Sequence, residues 1–443
     1  MEISLRNFLK IFLAIIIMII LMVVYRSFLN YKRTSEEEKI KSEKVKSMFT
    51  LVENKKYATI SEYTIYGNHL NIKGTIDQIE DENVEDLELV IMDLDQNESK
   101  YNLEYSKNEG NIEFYLSQNI NEGIDLEKIS LGDYYLYIKL KSNQKTYYYS
   151  LKNDTKYNGN EYYTLTNENK NRKISIDFLE YNNKIPYMKI TSSDIALPNN
   201  VYDIVIDAGH GGRDPGAMYE NNTEAEYTLE YAYSLKSRLE SIGYKVKLTR
   251  EKDEYVDTYG KGGRAIVPYE VKAKLFISLH LNSTAISNPE GGIEIYCANN
   301  MNTALAKSFA DNIVNIAKTK YSPNNQFRVL DGVYIRTYTQ DEVEEAIEYA
   351  NDVGYTPYEN LSTQTPYYFM IRETGGIMTR AYIDGRNKNL KDNQYSSSNI
   401  SAESYLLELG FINSKDDLES LQKNKEAYIE AIVKTIVDNY KNN

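Results

Sequence analysis

The fold of the C-terminal half is best predicted from the segment Ile204-Val-Ile-Asp-Ala-Gly-His-Gly-Gly-Arg-Asp-Pro-Gly-Ala217. Its β-branched start is typical of a buried strand, and the glycine-rich run after it is typical of a loop. His210 would therefore lie at the carboxyl end of a strand. In open α/β sheets this edge carries the ligand sites, so the segment predicts an α/β sheet with a functional loop.

Strand and helix patterns alternate through the rest of this half. Predicted strands cover 202–206, 245–248, 275–279, 293–296 and 405–408, and predicted helices cover 224–240, 303–318 and 424–440. This alternation predicts an α/β domain over 201–443, in which helices pack on a central, mostly parallel sheet.

The region 57–195 has a different pattern. Short alternating runs such as 70–76, 87–92 and 134–140 are separated by Asn, Gly and Asp turns. Their spacing predicts an all-β, sandwich-like domain. Its sequence has no convergent His, Cys or Gly-rich cluster, so we interpret the domain as a spacer or adaptor. Binding of a carbohydrate or of a protein activator is the alternative.

The N-terminal residues 1–33 predict a membrane anchor. Residues 8–25 are almost uncharged and long enough for a signal anchor, with Lys10 near their start. No small-x-small cleavage site follows, so the segment is expected to be retained. Basic residues on both sides leave the orientation open under the positive-inside rule. The mixed-charge segment 34–56 predicts a solvated helical stalk.

Charge and cysteine content narrow the classes of function. The 443-residue chain has a formal net charge of −14, which argues against nucleic acid as a partner. Its single cysteine, Cys297, excludes an internal disulfide framework and a cysteine-rich zinc site.

The chain has only three histidines, and two of them follow predicted strands. One is His210, and the other is His280 in Phe276-Ile-Ser-Leu-His-Leu-Asn-Ser283. His69 lies far upstream and looks like an ordinary turn or strand residue. Catalytic zinc sites usually take three protein ligands and leave one position for water. His210 and His280 are therefore predicted as two ligands of a zinc site.

Two carboxylates complete the predicted site. Glu224 begins the helix after the glycine-rich loop and is the preferred third ligand, with Glu226 and Glu220 as rivals. Glu408 lies in an apolar strand, where an unpaired carboxylate is costly. Burial would raise its pKa, as a general base at neutral pH requires. A buried glutamate held by an arginine or by backbone amides is the alternative.

Four segments, taken in order, resemble the zinc-dependent N-acetylmuramoyl-L-alanine amidases, the type 3 amidase family of cell-wall hydrolases. They are 206–217, the helix opening at Glu224 together with 243–250, then 275–282 and 407–413. The resemblance covers 201–443. It implies that His210, Glu224 and His280 bind Zn²⁺ and that Glu408 is the catalytic glutamate.

The resemblance also implies the substrate, which is the amide between N-acetylmuramic acid and the L-alanine of the peptidoglycan stem. Asn282 is a candidate for stabilising the oxyanion. Such a substrate places the domain on the extracytoplasmic side of the cell membrane, held by a single-pass anchor. A zinc peptidase or deacetylase, and a non-catalytic wall-binding protein, are the alternatives. A nucleotide-binding P-loop is disfavoured because its Gly-Lys-Ser/Thr ending is absent.

The sequence departs from the family pattern in two places. Ala225 stands where the family commonly has lysine, and a long insertion precedes the last predicted strand. We predict that the insertion shapes the substrate groove or forms a lid, with Arg372, Glu373 and Arg386 as candidate substrate contacts. A surface excursion held by ion pairs is the alternative.

Overall fold

The structure of the protein is a computed structural model that describes residues 5–50, 56–77, 83–108, 110–165, 171–182, 184–286, 288–353, 361–376, 395 and 398–440. For residues 5–17, 19–21, 37 and 48 it describes the backbone alone. The described chain begins with a long helix, continues through a β-domain, and ends in a domain that mixes helices and strands.

Helix α1 spans Leu5–Thr50. Its last part therefore covers the predicted stalk from residue 34 to residue 50. Its end does not stand free in solvent, because Phe49 stacks on Tyr181 with ring centroids 4.5 Å apart and Lys41 pairs with Asp133. Most side chains of the predicted anchor, residues 8–25, lie outside the described residues. Within the described part of the chain, no helix is long and apolar enough to span a membrane.

Strands β1 to β12 form the β-domain. Their bounds are Tyr57–Tyr66, His69–Ile76, Val84–Asp93, Glu98–Asn102, Glu104–Asn108, Asn111–Tyr115, Ile124–Asp125, Gly132–Ser142, Lys145–Asn153, Gly159–Tyr163, Arg172–Tyr181 and Ile185–Asp194. The strand order is β10-β11-β12-β8-β9-β1-β2-β6-β5, with β3 and β4 beside β8 and β7 beside β2. Asn143 and Gln144 have φ of 49° and 62°, as in the type I′ turns that join antiparallel strands such as β8 and β9.

The two ends of this strand order share one hydrophobic core. Phe114 of β6, next to one end of the order, and Ile176 of β11, next to the other end, are fully buried in the same cluster. The sheet therefore folds over on itself around a single core, which is the arrangement of a sandwich.

The C-terminal domain contains strands β13 to β22 and helices α2 to α8. The strands are Ile204–Ala208, Met218–Tyr219, Asn222–Thr223, Val246–Leu248, Leu275–Asn282, Glu294–Tyr296, Arg328–Leu330, Val333–Tyr334, Ile400–Ser401 and Glu403–Phe411. The helices are Glu224–Glu240, Val267–Glu270, Ala304–Ala317, Gln340–Val353, Phe369–Thr374, Lys415–Lys423 and Lys425–Tyr440. The main sheet has the order β16-β13-β17-β22-β18-β20-β19. Strands β16, β13, β17 and β22 are parallel, whereas β18 is antiparallel to β22, so the predicted mostly parallel α/β sheet is confirmed.

Helix α2 begins directly after a residue that caps its N-terminus. The Thr223 side chain accepts a hydrogen bond from the backbone N–H of Glu226, as in a capping box. Leu235 and Leu239 then lie on the buried face of α2, in the core that the sheet shares with α4 and α8. Burial of each such leucine contributes roughly 1.5–3 kcal/mol. Helix α2 is therefore fixed on the sheet with its first residue at the loop of His210.

The β-domain contacts the C-terminal domain at the start of strand β22. Ile65 of β1 pairs with Ile400 of β21, and Asn121 donates a hydrogen bond to Glu403 over 3.2 Å. Tyr66 accepts one from the backbone N–H of Ser404 over 3.0 Å. The β-domain is therefore docked at the amino ends of the parallel strands, opposite the edge that carries the candidate site.

Candidate metal and catalytic site

Three of the predicted residues meet at the carboxyl edge of the sheet. His210 follows β13, Glu224 is the first residue of α2, and His280 lies near the end of β17. Their ligand atoms all lie within 4.8 Å of one another. The structure places the rivals Glu226 and Glu220 on the exposed surface, outside this group.

Glu224 lies between the two imidazole rings. Its Oε1 is 2.9 Å from Nδ1 of His280, and its Oε2 is 3.2 Å from Nε2 of His210. Burial alone would raise the pKa of Glu224, but the hydrogen bonds and charges of the two histidines outweigh it and hold the pKa well below its usual value. The carboxylate is therefore ionised, as a metal ligand must be.

Backbone and side-chain contacts fix each of these ligands. The carboxylate of Glu224 accepts hydrogen bonds from the backbone N–H groups of Leu281 and Ala217, both over 2.9 Å. His210 adopts a left-handed φ of 62°, and its Nδ1 lies 2.9 Å from the Asp214 carboxylate. Such a partner on the far ring nitrogen orients a histidine ligand.

The donor set fits a zinc ion. Two imidazoles and one carboxylate are a common ligand set of catalytic zinc sites. The cradle is also close-packed, because a Cβ added at Gly216 (φ +69°) would lie 2.6 Å from Oε2 of Glu224 and 2.7 Å from Cδ2 of His210. Any larger side chain at Gly216 would therefore displace two of the three ligands.

Arg250 holds the backbone of the loop that carries His210, a role that was not predicted from the sequence. Its guanidinium is almost fully buried and donates to the backbone carbonyls of Ala208 and Gly209, each over 3.0 Å, and to that of Ala225 over 2.6 Å. Thr228 adds a hydrogen bond to the carbonyl of Gly209 over 2.7 Å. Arg250 and Thr228 thus join the loop of His210 to the start of α2.

Asp207 forms a second support that the sequence analysis missed. Arg264 donates to both of its carboxylate oxygens, over 2.8 and 2.6 Å, and Ser278 and Thr249 donate as well. Burial would raise the pKa of Asp207, but Arg264 outweighs it and lowers the pKa to about 2. An acidic residue inside the apolar run 204–208 was the available signal, since a buried charge requires a partner.

Glu408 lies in the adjacent strand, where β22 pairs it with His280. Its side chain is buried, and among the described residues its Oε2 has no hydrogen-bond partner. Burial, followed by the charges of Glu224 and Glu294, raises the pKa of Glu408 well above its usual value. The predicted base is therefore a buried carboxyl with one oxygen available beside the three candidate ligands.

Glu294 is an acidic neighbour that the sequence analysis did not identify. It is fully buried, pairs with Glu408 across β18 and β22, and accepts a hydrogen bond from Tyr296 over 2.6 Å. Asn282 donates to Glu294 over 2.9 Å and accepts from the backbone N–H of Ser283 over 2.8 Å. These two hydrogen bonds orient the side chain of Asn282, and its contact with an oxyanion stays a prediction.

The other predicted substrate contacts have different outcomes. Arg372 and Glu373 are buried in α6, where Arg372 donates to the backbone carbonyls of Pro366 and Tyr367 over 3.1 and 3.0 Å. Helix α6 packs on the sheet, and Arg372 lines a groove beside it, so its contact with substrate stays a prediction. Arg386 lies outside the described residues.

Comparison with known proteins supports the resemblance in one part of the chain. Residues 204–342 match the family model described as N-acetylmuramoyl-L-alanine amidase, which confirms the predicted family resemblance for that segment. "Probable cell wall amidase LytH" of Staphylococcus saprophyticus is 34% identical over 118 residues, 26% of this chain and 38% of that protein. The same protein of Staphylococcus aureus is 35% identical over 106 residues, 23% of this chain and 33% of that protein. The chain thus spans little more than a third of these relatives.

Solved structures of amidases also resemble the chain. The catalytic domain of CwlV, an N-acetylmuramoyl-L-alanine amidase from Bacillus (Paenibacillus) polymyxa var. colistinus, is 20% identical, with a TM-score of 0.34. The match covers 54% of this chain and 98% of that one. The N-acetylmuramoyl-L-alanine amidase from Clostridium difficile 630 is also 20% identical, with a TM-score of 0.35 and coverage of 54% and 97%. Similarity at this level adds no evidence on the activity.

Proposed function

We propose that the C-terminal domain is a zinc-dependent N-acetylmuramoyl-L-alanine amidase, which hydrolyses the amide between N-acetylmuramic acid and the L-alanine of the peptidoglycan stem. The observation that carries the proposal is the convergence of His210, Glu224 and His280 beside the buried Glu408. The match of residues 204–342 to the amidase family supports the choice of bond.

His210, Glu224 and His280 are the residues that would hold the zinc ion. A bound zinc ion supplies Lewis acidity, which lowers the pKa of a water and polarises a carbonyl. The protein contributes the position of each ligand, because Asp214 orients His210 and two backbone N–H groups orient Glu224.

Glu408 is the proposed general base and acid. Its available oxygen would accept a proton from the attacking water and then donate it to the departing amine of alanine. The raised pKa of Glu408, caused first by burial, lets the carboxyl hold that proton between the two steps. Glu294 pairs with Glu408 across the strands and accepts hydrogen bonds from Tyr296, Asn282 and Asn324.

We also propose that residues 8–25 anchor the protein in the cell membrane, with the catalytic domain on the extracytoplasmic side. The support is the almost uncharged sequence of that segment and the location of peptidoglycan outside the membrane. Helix α1 would then connect the membrane to the β-domain, since its backbone is continuous to Thr50.

The proposed activity is tested with the full chain, purified in detergent micelles and incubated with isolated peptidoglycan. We expect release of intact stem peptides that begin with a free L-alanine amine, identified by mass spectrometry. Zinc chelation should abolish the release and zinc addition should restore it. Glu408→Gln should reduce it by roughly a hundredfold or more, because general acid–base catalysis contributes that much.

The control for Glu408→Gln is Glu226→Gln, which changes an exposed glutamate outside the ligand cluster and should keep full activity. Cleavage within the stem would identify a peptidase, and loss of acetyl groups would identify a deacetylase. Zinc binding without any cleavage would contradict the proposed activity and indicate a wall-binding protein.

A further inference from the structure

A groove lined by aromatic side chains lies next to the candidate site and takes no part in the chemistry proposed above. Its volume is about 790 Å³, within the usual range of ligand pockets. We call it the tyrosine groove, and its aromatic lining residues are Tyr259, Tyr338, Tyr349, Tyr367, Tyr368 and Phe369. We propose that the tyrosine groove binds sugar rings of the peptidoglycan glycan strand, an inference that rests on the proposed amidase function.

The groove ends beside the catalytic residues. Helix α6 runs along β22, with Thr374 hydrogen-bonded to Ser404 over 2.8 Å at one end and Tyr368 at the other. The Tyr368 ring lies 4.6 Å from that of Tyr296, whose hydroxyl donates to Glu294. Because Glu294 pairs with Glu408 across the strands, a ligand in the groove would extend toward the scissile bond.

Contacts between side chains hold one wall of the aromatic lining in place, while aromatic side chains on the rim stay exposed. Arg336 lies 3.5 Å from the centroid of the Tyr367 ring and pairs with Glu342 over 2.9 Å, which fixes one wall. On the rim, Tyr349 of α5 is 55% exposed and Phe369 is 40% exposed. Exposed aromatic faces on a fixed frame suit sugar rings, because the C–H face of a pyranose packs on an aromatic face while its hydroxyl groups stay in water.

Charge distinguishes the glycan from the peptide stem. Glu342 and Glu345 line the groove together with Arg372, whose guanidinium donates to the backbone carbonyls of Pro366 and Tyr367. The sequence of α5, Gln-Asp-Glu-Val-Glu-Glu-Ala-Ile-Glu-Tyr-Ala-Asn-Asp-Val, has six acidic residues and no basic one. The stem peptide carries free carboxylates, which this helix would repel. N-acetylglucosamine is neutral, as is N-acetylmuramic acid whose lactyl carboxyl is amidated by the stem, and the hydroxyl groups of both sugars can donate hydrogen bonds to carboxylates. The occupant that fits is therefore the glycan.

The experiment measures binding of short, soluble oligomers of N-acetylglucosamine, the neutral sugar of the glycan strand, by calorimetry on the full chain in detergent micelles. Such oligomers lack the scissile amide, so their binding is independent of hydrolysis. Tyr349→Ala and Phe369→Ala should each weaken binding roughly three- to tenfold, as expected for the loss of one stacking contact. The matched control is Tyr105→Ala, which removes a tyrosine of 41% exposure on β5 of the β-domain and should bind like the wild type.

A second arm uses a free stem peptide at low and high salt. Glycan binding should be insensitive to salt, since the ligand is neutral. The proposal is overturned if the glycan binds equally well to Tyr349→Ala and to the wild type. It is also overturned if the stem peptide binds the groove in a manner that Tyr349→Ala abolishes. Glycan binding without hydrolysis would reject the amidase activity and leave the groove assignment standing.

Discussion

At the scale of single residues, the candidate site depends on which carboxylate of one helical turn faces inward. Glu224 and Glu226 are separated by about 200° around α2, because a helix turns about 100° per residue. Only Glu224 is buried, with both oxygens engaged by the histidines and by backbone N–H groups. Position on the helix, more than residue type, therefore selects the ligand.

We predict that Glu224→Gln weakens zinc binding at least roughly a hundredfold, because it removes a charged ligand and not merely an outer partner. Glu226→Gln has the same change in charge on the same turn and should bind zinc like the wild type. The measurement is the zinc retained against a chelator of known affinity. Equal retention by both variants would rule out Glu224 as a ligand.

The Asp207–Arg264 ion pair should make the free energy of unfolding depend on pH in the acid range. The folded pKa of Asp207 is about 2, below the unfolded value of about 3.9, so its contribution to stability is complete above pH 4 and is lost as the pH falls through 2. The difference corresponds to about 2–3 kcal/mol. Asp207→Asn should cost about 3–5 kcal/mol near pH 7, because Arg264 is left buried without its charge partner.

Urea unfolding of wild type and Asp207→Asn at several pH values measures this difference. The gap in the free energy of unfolding should narrow as the pH falls below 4, since only the wild type loses the ionised carboxylate. A gap that stays constant down to pH 2 would contradict the lowered pKa of Asp207.

At the scale of elements, the loop between β13 and α2 sets the ligand geometry. Gly216→Ala should weaken zinc binding, because the new Cβ would lie 2.6 Å from Oε2 of Glu224. Gly243→Ala is the matched control, since Gly243 also has a positive φ (+101°) but no atom within 4 Å of the added Cβ. Both variants carry the backbone strain, and only the first should lose zinc in the competition assay.

Comparable thermal stability of the two glycine variants, with zinc loss in Gly216→Ala alone, is the expected pattern. Zinc loss in both variants would instead assign the effect to backbone strain.

The short strand β18 belongs to the same scale, because its Glu294–Tyr296 pairing brings a buried acid beside Glu408. A strand of only three residues thus places an acidic side chain next to the proposed base.

At the scale of the whole molecule, Glu403 joins the two domains. It is buried and accepts hydrogen bonds from Tyr405 and Tyr440 of its own domain and from Asn121 of the β-domain. The same strand carries Glu408 five residues later, about 17 Å away at the other edge of the sheet. The β-domain therefore supports the sheet from the end opposite the chemistry.

We predict that the two domains of the wild type unfold in one thermal transition. Glu403→Ala leaves three donors without their acceptor, so it should separate the transition into two and lower the first by several degrees. Differential scanning calorimetry measures both effects. Two transitions in the wild type, unchanged by the substitution, would show that the junction does not couple the domains.

The sequence predicted those features that local chemistry controls. Apolar strands, the helix that opens at Glu224 and the glycine-rich loop each depend on neighbours within a few residues, so the sequence predicted these elements in 204–248 and 275–282. Strand β5 shows the limit of this approach, since all five of its residues are exposed and carry no alternating pattern. Its pairing with β6 comes from the sheet edge and not from its own sequence.

The tertiary structure decided which side chains become partners. Arg264 reaches Asp207 across 57 positions, and Arg372 donates to the backbone carbonyl of Pro366. A buried charge needs a partner, because burying it unpaired costs a large amount of free energy. Which side chain becomes that partner depends on the distant segments that packing brings near it. The sequence by itself therefore determined the ligand types and the strands that carry them. The sequence favoured Glu224 over Glu226, and packing brings Glu224 to the histidines and Glu294 to Glu408.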